Sequence, residues 1–425
     1  MKYLIVILIP WLLAGCVPIT PSTSTNYQPL RIEDYNYAQN VGAVTLTPKG
    51  SNSEAAFPVI ALGSQGVVLE MDVFENNVGY LNAKLIHCNA DWTQSVLIDL
   101  QYMNGFNEFP SQDYSYSENT RIPYVQYRFD IPSPTISGNY LLIVYRENDQ
   151  KNLVLSRRMV VFESKVAVAA SVNVSSMVSK RTENHQIEFD IDHTGIRTNN
   201  PINDLSIVVL QNHNWNNALK NLQPTVIRSD KNALEYRHFD GTNNFRGLNE
   251  FRFFDLRFVD FRGININRIV KSEAGVQAYL VKDKSREHQA YAQLINDRNG
   301  GFLLQNKDPD DSQLQSEYVL THFELEHERL ETPVHIISRQ NNWELNNSNL
   351  MEYDEYTKSY KGQLLLKQGY YDYAYWLETK DGGFSRLEGN HFQTDNTYEI
   401  IVYYRNTSNN YDEIIGYKNF SSQQN

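Results

Sequence analysis

Apolar and polar residues alternate along most of this chain in short runs, which is the pattern of β-strands with one buried face. Three of these runs, residues 81–92, 204–215 and 333–343, each pass through a polar turn and end on a tryptophan. The tryptophans are 123 and 128 residues apart, the differences between positions 92, 215 and 343. Solenoid repeats recur at roughly 20–50 residues. The spacing therefore predicts a series of β domains, each with its tryptophan packed between its own two sheets.

A second pattern also occurs three times, as two apolar runs separated by a polar turn. It is found in residues 140–147 with 153–162, 276–283 with 289–295, and 398–405 with 412–417. Asn, Asp and charged residues between two apolar runs are typical of a β-hairpin. Each hairpin is expected to close one domain. Long helical periods are almost absent, so we predict an all-β chain of three consecutive β-sandwiches with immunoglobulin-like or early-set topology.

The chain of 425 residues has room for two or three domains. The predicted β-sandwich domains are residues 30–164, 165–311 and 312–425. Residues 1–15 are predicted to be a lipoprotein signal peptide, and residues 16–29 a lipidated cysteine with a flexible tether rich in Pro, Ser and Thr.

The beginning of the chain resembles a bacterial lipoprotein signal. Lys2 precedes an apolar run, residues 3–12, that is too short to remain a membrane-spanning helix. The run ends in Leu-Ala-Gly-Cys, which resembles a lipobox and makes Cys16 the predicted lipid-attachment residue; an ordinary secretory peptide that contains a cysteine is the alternative. The first acidic residue is Glu33, and the absence of acids beside Cys16 favours an outer-membrane anchor facing the periplasm.

Composition argues against nucleic-acid binding and against a disulfide in the mature chain. The formal net charge is −12 with no basic stripe, so nucleic-acid binding is not expected. Once Cys16 is acylated, Cys88 has no partner for a disulfide and is expected to pack as a small apolar residue.

The sequence predicts no catalytic, metal or cofactor site. His322, Glu324, Glu326 and Glu328 would share one face of a strand, with His335 on the next strand, but alternating acids usually form a solvated face. Residues 297–301 and 308–311 begin like calcium loops yet lack the Gly and Glu that such loops need, so turns are favoured. Nucleophile elbows and phosphate-binding glycine loops are missing from the sequence. We therefore expect a non-enzyme with no small-molecule substrate.

One alternative is a glycan-binding lipoprotein. The last predicted domain resembles the early-set domains that accompany starch-active enzymes. The residues concerned are His335, Trp343, Tyr375 and the stretch 388–390. Their rings either fill a sandwich core or form an exposed platform for a sugar.

Several sequence motifs together resemble those of the plug protein family of the type IX secretion system. They are Tyr102-x-x-Gly105-Phe106, Asp113-Tyr114-x-x-Ser117-x-Asn119-Thr120, Tyr124-x-x-Tyr127-x-Phe129, Ser137-Gly138-Asn139-Tyr140-Leu141, Asn249-Glu250-Phe251-Arg252-Phe253-Phe254-Asp255-Leu256-Arg257 and Asn296-Asp297-x-Asn299-Gly300. The last one departs from the tighter Asp-Ile-Asn-Gly expected there.

This resemblance implies a catalytically silent periplasmic protein whose partner is the outer-membrane translocon barrel. The protein would occupy the inner mouth of the barrel when no substrate is passing, with the membrane contacted through its lipid anchor. The family motifs do not identify the residues that bind the barrel. Arg252 and Asp255 are interpreted either as an ion-paired brace or as partner contacts.

Overall fold

The structure, a computed structural model, describes residues 28–51, 56–111, 113–198, 200–292, 297–307, 313–379, 385–406 and 410–423. The predicted signal peptide and Cys16 lie outside these residues. The chain is nearly all β, which confirms the predicted fold class. Among the described residues no helix combines the length and hydrophobicity needed to cross a membrane. The short helices are α1 (Asp99–Tyr102), α2 (Pro201–Asp204), α3 (Ser385–Glu388) and the 3₁₀ turns Val178–Lys180, Trp215–Asn217, Gln313–Gln315 and Arg339–Asn341.

The first unit is a sandwich of two sheets. Its strands are β1 (Tyr35–Asn36), β2 (Val41–Pro48), β3 (Val59–Ala61), β4 (Val67–Val73), β5 (Leu81–Cys88), β6 (Phe109–Pro110), β7 (Asp113–Tyr116), β8 (Val125–Ile131), β9 (Gly138–Arg146) and β10 (Leu153–Phe162). One sheet has the order β1-β10-β9-β5-β6, with β3 parallel to β10, and the other has the order β2-β4-β8-β7. Leu69 and Tyr127 of one sheet share a core with Leu85 and Val144 of the other. All ten strands lie within residues 30–164.

The second unit begins with a five-stranded sheet. The strands of this unit as far as residue 246, in either layer, are β11 (Ala167–Val174), β12 (Asn184–Asp192), β13 (Leu205–Gln211), β14 (Leu219–Lys220), β15 (Val226–Arg228), β16 (Ala233–Tyr236) and β17 (Asn244–Arg246). The order is β11-β12-β16-β15, and β17 pairs with β12. Strands β13 and β14 do not join that sheet. They belong to the opposite layer, which the chain completes much later.

The chain next builds a ten-stranded sheet that folds over on itself. Its strands are β18 (Arg252–Asp255), β19 (Ile266–Ser272), β20 (Gly275–Leu280), β21 (Asp283–Lys284), β22 (Phe302–Leu304), β23 (Tyr318–Glu326), β24 (Val334–Ile337), β25 (Leu350–Asp354), β26 (Ser359–Lys367) and β27 (Gly369–Leu377). The order is β18-β27-β24-β25-β26-β23-β20-β19. Phe254 of β18 contacts Phe323 of β23 edge to face, at 5.7 Å between ring centroids, so strands distant in the sheet enclose one core. We call this part the inserted unit.

The last two strands, β28 (Thr397–Asn406) and β29 (Tyr411–Ser421), return to the second unit. β28 pairs antiparallel with β13, from Leu205 opposite Tyr404 to Gln211 opposite Tyr398, giving a sheet of order β14-β13-β28-β29. Ile207 and Ile400 then lie in the same core as Phe189 of the facing sheet. The second sandwich is therefore built from two separated stretches of chain.

This topology corrects the predicted division into residues 165–311 and 312–425. Strands on both sides of position 311 share one sheet and one core in the inserted unit. The predicted hairpin at 276–283 and 289–295 is also wrong, because β20 pairs antiparallel with β19 and parallel with β23. The hairpin at 398–405 and 412–417 forms as β28 and β29, but it completes the second unit. The sequence of an apolar hairpin does not specify which open sheet edge the hairpin will pair with.

Candidate functional site

Trp92 and Trp215, which end two of the three repeated runs, meet at the boundary between the first and second units. Their ring centroids are 4.9 Å apart and the rings are nearly perpendicular, the edge-to-face geometry that aromatic pairs favour. The guanidinium carbon of Arg158 lies 4.8 Å from the Trp92 ring and 5.6 Å from the Trp215 ring. Only 2% and 8% of the two tryptophans are exposed. The prediction that each tryptophan packs between the sheets of its own sandwich is thus wrong.

The tryptophans belong to an apolar interface formed by the outer faces of two sheets. On β9 the residues alternate, with Leu142 in the sandwich core and Leu141 in the interface. On β28 Val402 and Ile401 divide in the same way. Strands buried on both faces read as continuous apolar runs. The interface comprises Cys88, Trp92, Leu141, Ile143, Tyr145, Val160, Val208, Leu210, Trp215, Ile401, Tyr403 and Ile414.

Polar contacts surround this interface, and its one thiol is inert. The Tyr403 hydroxyl donates to Oδ1 of Asn139 at 3.0 Å, and the Ala90 amide donates to Oδ2 of Asp412 at 2.9 Å. Cys88 is buried, which confirms its predicted role as a small apolar residue. Burial raises the pKa of its thiol to about 12, so almost no thiolate is present near neutral pH.

The third repeated tryptophan, Trp343 of the inserted unit, lies near Trp215. Its backbone carbonyl accepts a hydrogen bond from Nδ2 of Asn216 in the second unit at 3.4 Å. Trp343 and Trp215 both line a cavity of about 110 Å³ where the three units meet. The cavity is also lined by residues of the first unit, including Phe57, Arg157 and Arg158. The repeated turns therefore converge on one junction.

Two arginines, buried Arg157 and half-buried Arg339, stabilise this junction. Nη2 of Arg157 donates to Oδ1 of Asn36 at 2.7 Å, and its Nη1 donates to backbone carbonyls of residues 35 and 156. Arg339, in the 3₁₀ turn before Trp343, lies 5.1 Å from the ring of Phe57. Burial lowers the pKa of Arg339 to about 10, and nearby Glu399 and Asp372 oppose that shift. Both cations remain charged and fix the turns around the cavity.

A buried ion pair joins the first unit to the inserted unit. Nζ of Lys367 lies 2.8 Å from Oδ2 of Asp72, and the side chains of both residues are almost fully buried. The Tyr318 hydroxyl donates to the same carboxylate at 2.7 Å and accepts from the Ala43 amide at 2.7 Å. The Lys367 ammonium also lies 4.4 Å from the ring centroid of Tyr124. A desolvated charge needs such partners, so the pair ties the two units in one geometry.

A second ion pair between the same two units joins Arg121 to buried Glu317. Nη1 of Arg121 is 2.5 Å from Oε1 of Glu317, and the Arg121 amide donates to Oε2 at 3.1 Å. The Tyr124 hydroxyl donates to backbone carbonyls of residues 314 and 316 at 3.3 Å. The first unit is thus bound to the inserted unit through two ion pairs and their hydrogen bonds, and to the second unit through an apolar interface with polar contacts around it.

Arg252 is the centre of an ion network inside the inserted unit. It lies 2.7 Å from Oδ1 of Asp283 and 2.9 Å from Oε1 of Glu388, and Arg286 lies 2.6 Å from Oε2 of Glu388. Burial alone would raise the pKa of Glu388, but Arg252 and Arg286 hold it below its usual range. Asp255 pairs with Arg257 at 2.6 Å instead. Arg252 and Asp255 are both braced, but they are not braced to each other.

The turn that begins at Asp297 connects the inserted unit to the second unit. Asp297 accepts hydrogen bonds from the amides of Phe251 and Asn299, and Asn299 donates from Nδ2 to Oγ1 of Thr397 at 3.2 Å. Burial and the neighbouring Asp372 raise the pKa of Asp297. Burial raises the pKa of Asp372 to about 7. The segment is a turn, as predicted, whereas residues 308–311 lie outside the described part of the chain.

The other candidate residues do not form a ligand site. His335, Tyr375 and Glu388 are buried inside the inserted unit, which contradicts an exposed sugar platform there. Glu324 lies 2.9 Å from Lys282 and Glu326 lies 3.6 Å from Lys284, so these acids form surface ion pairs. Within the described residues, no group of three or more His, Cys, Asp and Glu side chains is arranged to hold a metal.

Comparison with known proteins gives the same family as the sequence motifs. Residues 41–163 match the family model described as the type 9 secretion system plug protein 1st domain. A crystal structure of a hypothetical protein from Parabacteroides merdae ATCC 43184 is 28% identical, with a TM-score of 0.86, over 92% of this chain and 100% of that chain. No curated protein matches. Residues 41–163 of this chain are thus similar to the first domain of type 9 secretion system plug proteins.

Proposed function

We propose that this chain is a non-enzymatic plug that binds the periplasmic mouth of the type 9 outer-membrane translocon barrel and seals it when no substrate is passing. The observation that carries the proposal is the match of residues 41–163 to the first domain of such plug proteins. The motifs in residues 249–257 and 296–300 extend the likeness into the inserted unit.

The geometry of the three units supports this proposal. A stopper must keep its shape when pressure or passing chains act on it. Here each unit contacts the other two, through the Trp92–Trp215 interface, the Asp72–Lys367 pair and the turn at Asp297. The buried residues of these contacts are structural, and none of them is arranged as a nucleophile with a general base.

The proposal includes an outer-membrane lipid anchor at Cys16 that faces the periplasm. Acylation there would tether the chain to the membrane that holds the barrel and raise its local concentration near the mouth. Metabolic labelling with an alkyne fatty acid tests the anchor. The wild-type chain should take up the label and Cys16→Ala should not; equal labelling of both would remove the anchor from the account.

Affinity capture tests the partner. A tagged chain is solubilised from the outer membrane in mild detergent, and the captured proteins are identified by mass spectrometry. The translocon barrel should be recovered with the tagged chain and be missing from an untagged control. Recovery of only glycan-utilisation proteins of the outer membrane would contradict the proposal.

A further inference from the structure

An excursion between β5 and β6 holds large apolar side chains in solvent. Val96, Ile98, Leu100 and Phe106 are exposed by 62%, 64%, 76% and 94%. They occur within eleven consecutive residues, 96–106, which we call the apolar loop. Single exposed apolar residues are ordinary on protein surfaces, but a concentration of them in one segment is typical of an interaction site.

The apolar loop is fixed in position without a partner. Tyr102 and Met103, between its exposed residues, are buried in the core of the first unit. The Tyr102 hydroxyl donates to the carbonyl of Leu85 at 3.0 Å, and Nδ2 of Asn107 donates to the same carbonyl at 2.7 Å. Lys84 and Asp99 form an ion pair at 2.6 Å. A surface that is already ordered loses little conformational entropy when it binds.

Charge around the apolar loop selects the kind of partner. Residues 85–120 contain no lysine or arginine. Their acidic residues are Asp91, Asp99, Glu108, Asp113 and Glu118. A basic patch is what draws a protein surface to anionic lipid, so this segment is poorly suited to a membrane. It is complementary to a concave protein surface with an apolar floor and a rim of basic or amide groups.

We propose that the apolar loop is the surface by which this chain contacts the mouth of the translocon barrel, with Ile98, Leu100 and Phe106 entering apolar pockets of the barrel protein. This inference rests on the proposed function. The loop belongs to the first unit, the part of the chain that matches the plug family.

Photo-cross-linking in living cells tests the inference. The photoreactive residue p-benzoylphenylalanine replaces Leu100 in the tagged, full-length chain. The matched control carries it at Phe239, a side chain of the second unit that is 77% exposed. After irradiation, the Leu100 position should form an adduct with the barrel protein, and the Phe239 position should not.

The triple variant Ile98→Ser, Leu100→Ser, Phe106→Ser supplies the second measurement. Apolar anchors dominate protein interfaces, so capture of the barrel should fall at least about tenfold. The control variant Val178→Ser, Phe239→Ser, which removes equally exposed apolar groups elsewhere, should capture as much barrel as the wild type. Because the replaced side chains are exposed, circular dichroism and thermal unfolding should match those of the wild type.

The outcomes separate this inference from the proposed function. If the wild-type chain captures the barrel while Leu100 gives no adduct and the triple variant captures normally, the surface is overturned and the function stands. If the adduct contains lipid or a second copy of this chain, the stated partner is overturned. If the wild-type chain captures no barrel, the proposed function fails and this inference fails with it.

Discussion

Nζ of Lys367 lies 2.8 Å from Oδ2 of Asp72, although the two residues are 295 positions apart in the chain. The pair lies between the first unit and the inserted unit, and its members are 6% and 2% exposed. Replacing Lys367 by methionine leaves the Asp72 carboxylate buried without its counter-ion. We expect a loss of about 3–5 kcal/mol in the free energy of unfolding, measured by urea denaturation.

A double-mutant cycle distinguishes the ion pair from lost packing. Lys367→Met combined with Asp72→Asn should cost less than the sum of the single changes, because neither charge is then left unpaired. Lys271→Met is the matched control, since its partner Asp260 is half exposed, and should change stability by less than about 1 kcal/mol. Equal effects at Lys367 and Lys271 would show that the buried pair does not hold the units together.

The contact between Trp92 and Trp215 should stabilise the boundary of the first and second units. Trp215→Ala removes a ring buried against Trp92 and should lower the free energy of unfolding by about 3–5 kcal/mol. Trp215→Phe should retain part of that stability. Limited proteolysis between residues 162 and 167, where β10 leads into β11, should become faster in the alanine variant. An alanine variant that resists both urea and protease like the wild type would contradict this interface.

The Asp372 carboxyl should make stability depend on pH. Burial raises its pKa to about 7 in the folded chain, whereas its ordinary value is 3.8, so the folded state keeps a proton that the unfolded state releases. This contribution is complete below about pH 4 and is lost as pH rises towards 7. Between pH 5 and pH 7.5 the wild type should lose more free energy of unfolding than Asp372→Asn. Parallel urea-unfolding profiles for the two proteins would contradict the assignment.

Cys88 should resist thiol reagents while the chain is folded. It is buried between two units and burial raises the pKa of its thiol to about 12. In a Cys16→Ser chain, labelling by a maleimide should therefore proceed only through unfolding and quicken in urea. A chain that also carries Cys88→Ala and Phe106→Cys should label at once, because position 106 is exposed. Rapid labelling of Cys88 in native buffer would mean that the interface opens readily.

Local structure could be read from the sequence with good accuracy. The run predicted at residues 81–88 is β5, and the hairpins at 140–162 and 398–417 are β9 with β10 and β28 with β29. Alternation and turn residues are local signals, and they specify strands well. The Asp297 turn and the burial of Cys88 also followed from local chemistry.

The pairing of strands that are distant in the chain could not be predicted from the sequence in the same way. The sequence predicts that residues 398–405 form a strand, but nothing local shows that β13, about 190 positions earlier, is its neighbour. The similar sequences of β9 and β28 predict two strands that each close a separate domain. In the structure both are central strands buried on two faces, and their outer faces pack against each other.

The burial site of the tryptophans was predicted wrongly for a related reason. A ring buried in a sandwich core and a ring buried between two sandwiches have the same sequence signature. Only the assembled structure shows that Trp92, Trp215 and Trp343 lie at one junction. The exposure of Ile98 and Leu100 in the apolar loop is likewise visible only in the structure.

Sealing of the translocon is the central claim, and outer-membrane permeability tests it most directly. Deletion of the gene in the native host should let large antibiotics such as vancomycin enter, seen as a lower inhibitory concentration. The wild-type gene should restore resistance, and the triple serine variant of the apolar loop should restore less of it. Unchanged susceptibility in the deletion strain, with the barrel present at its normal level, would contradict the account.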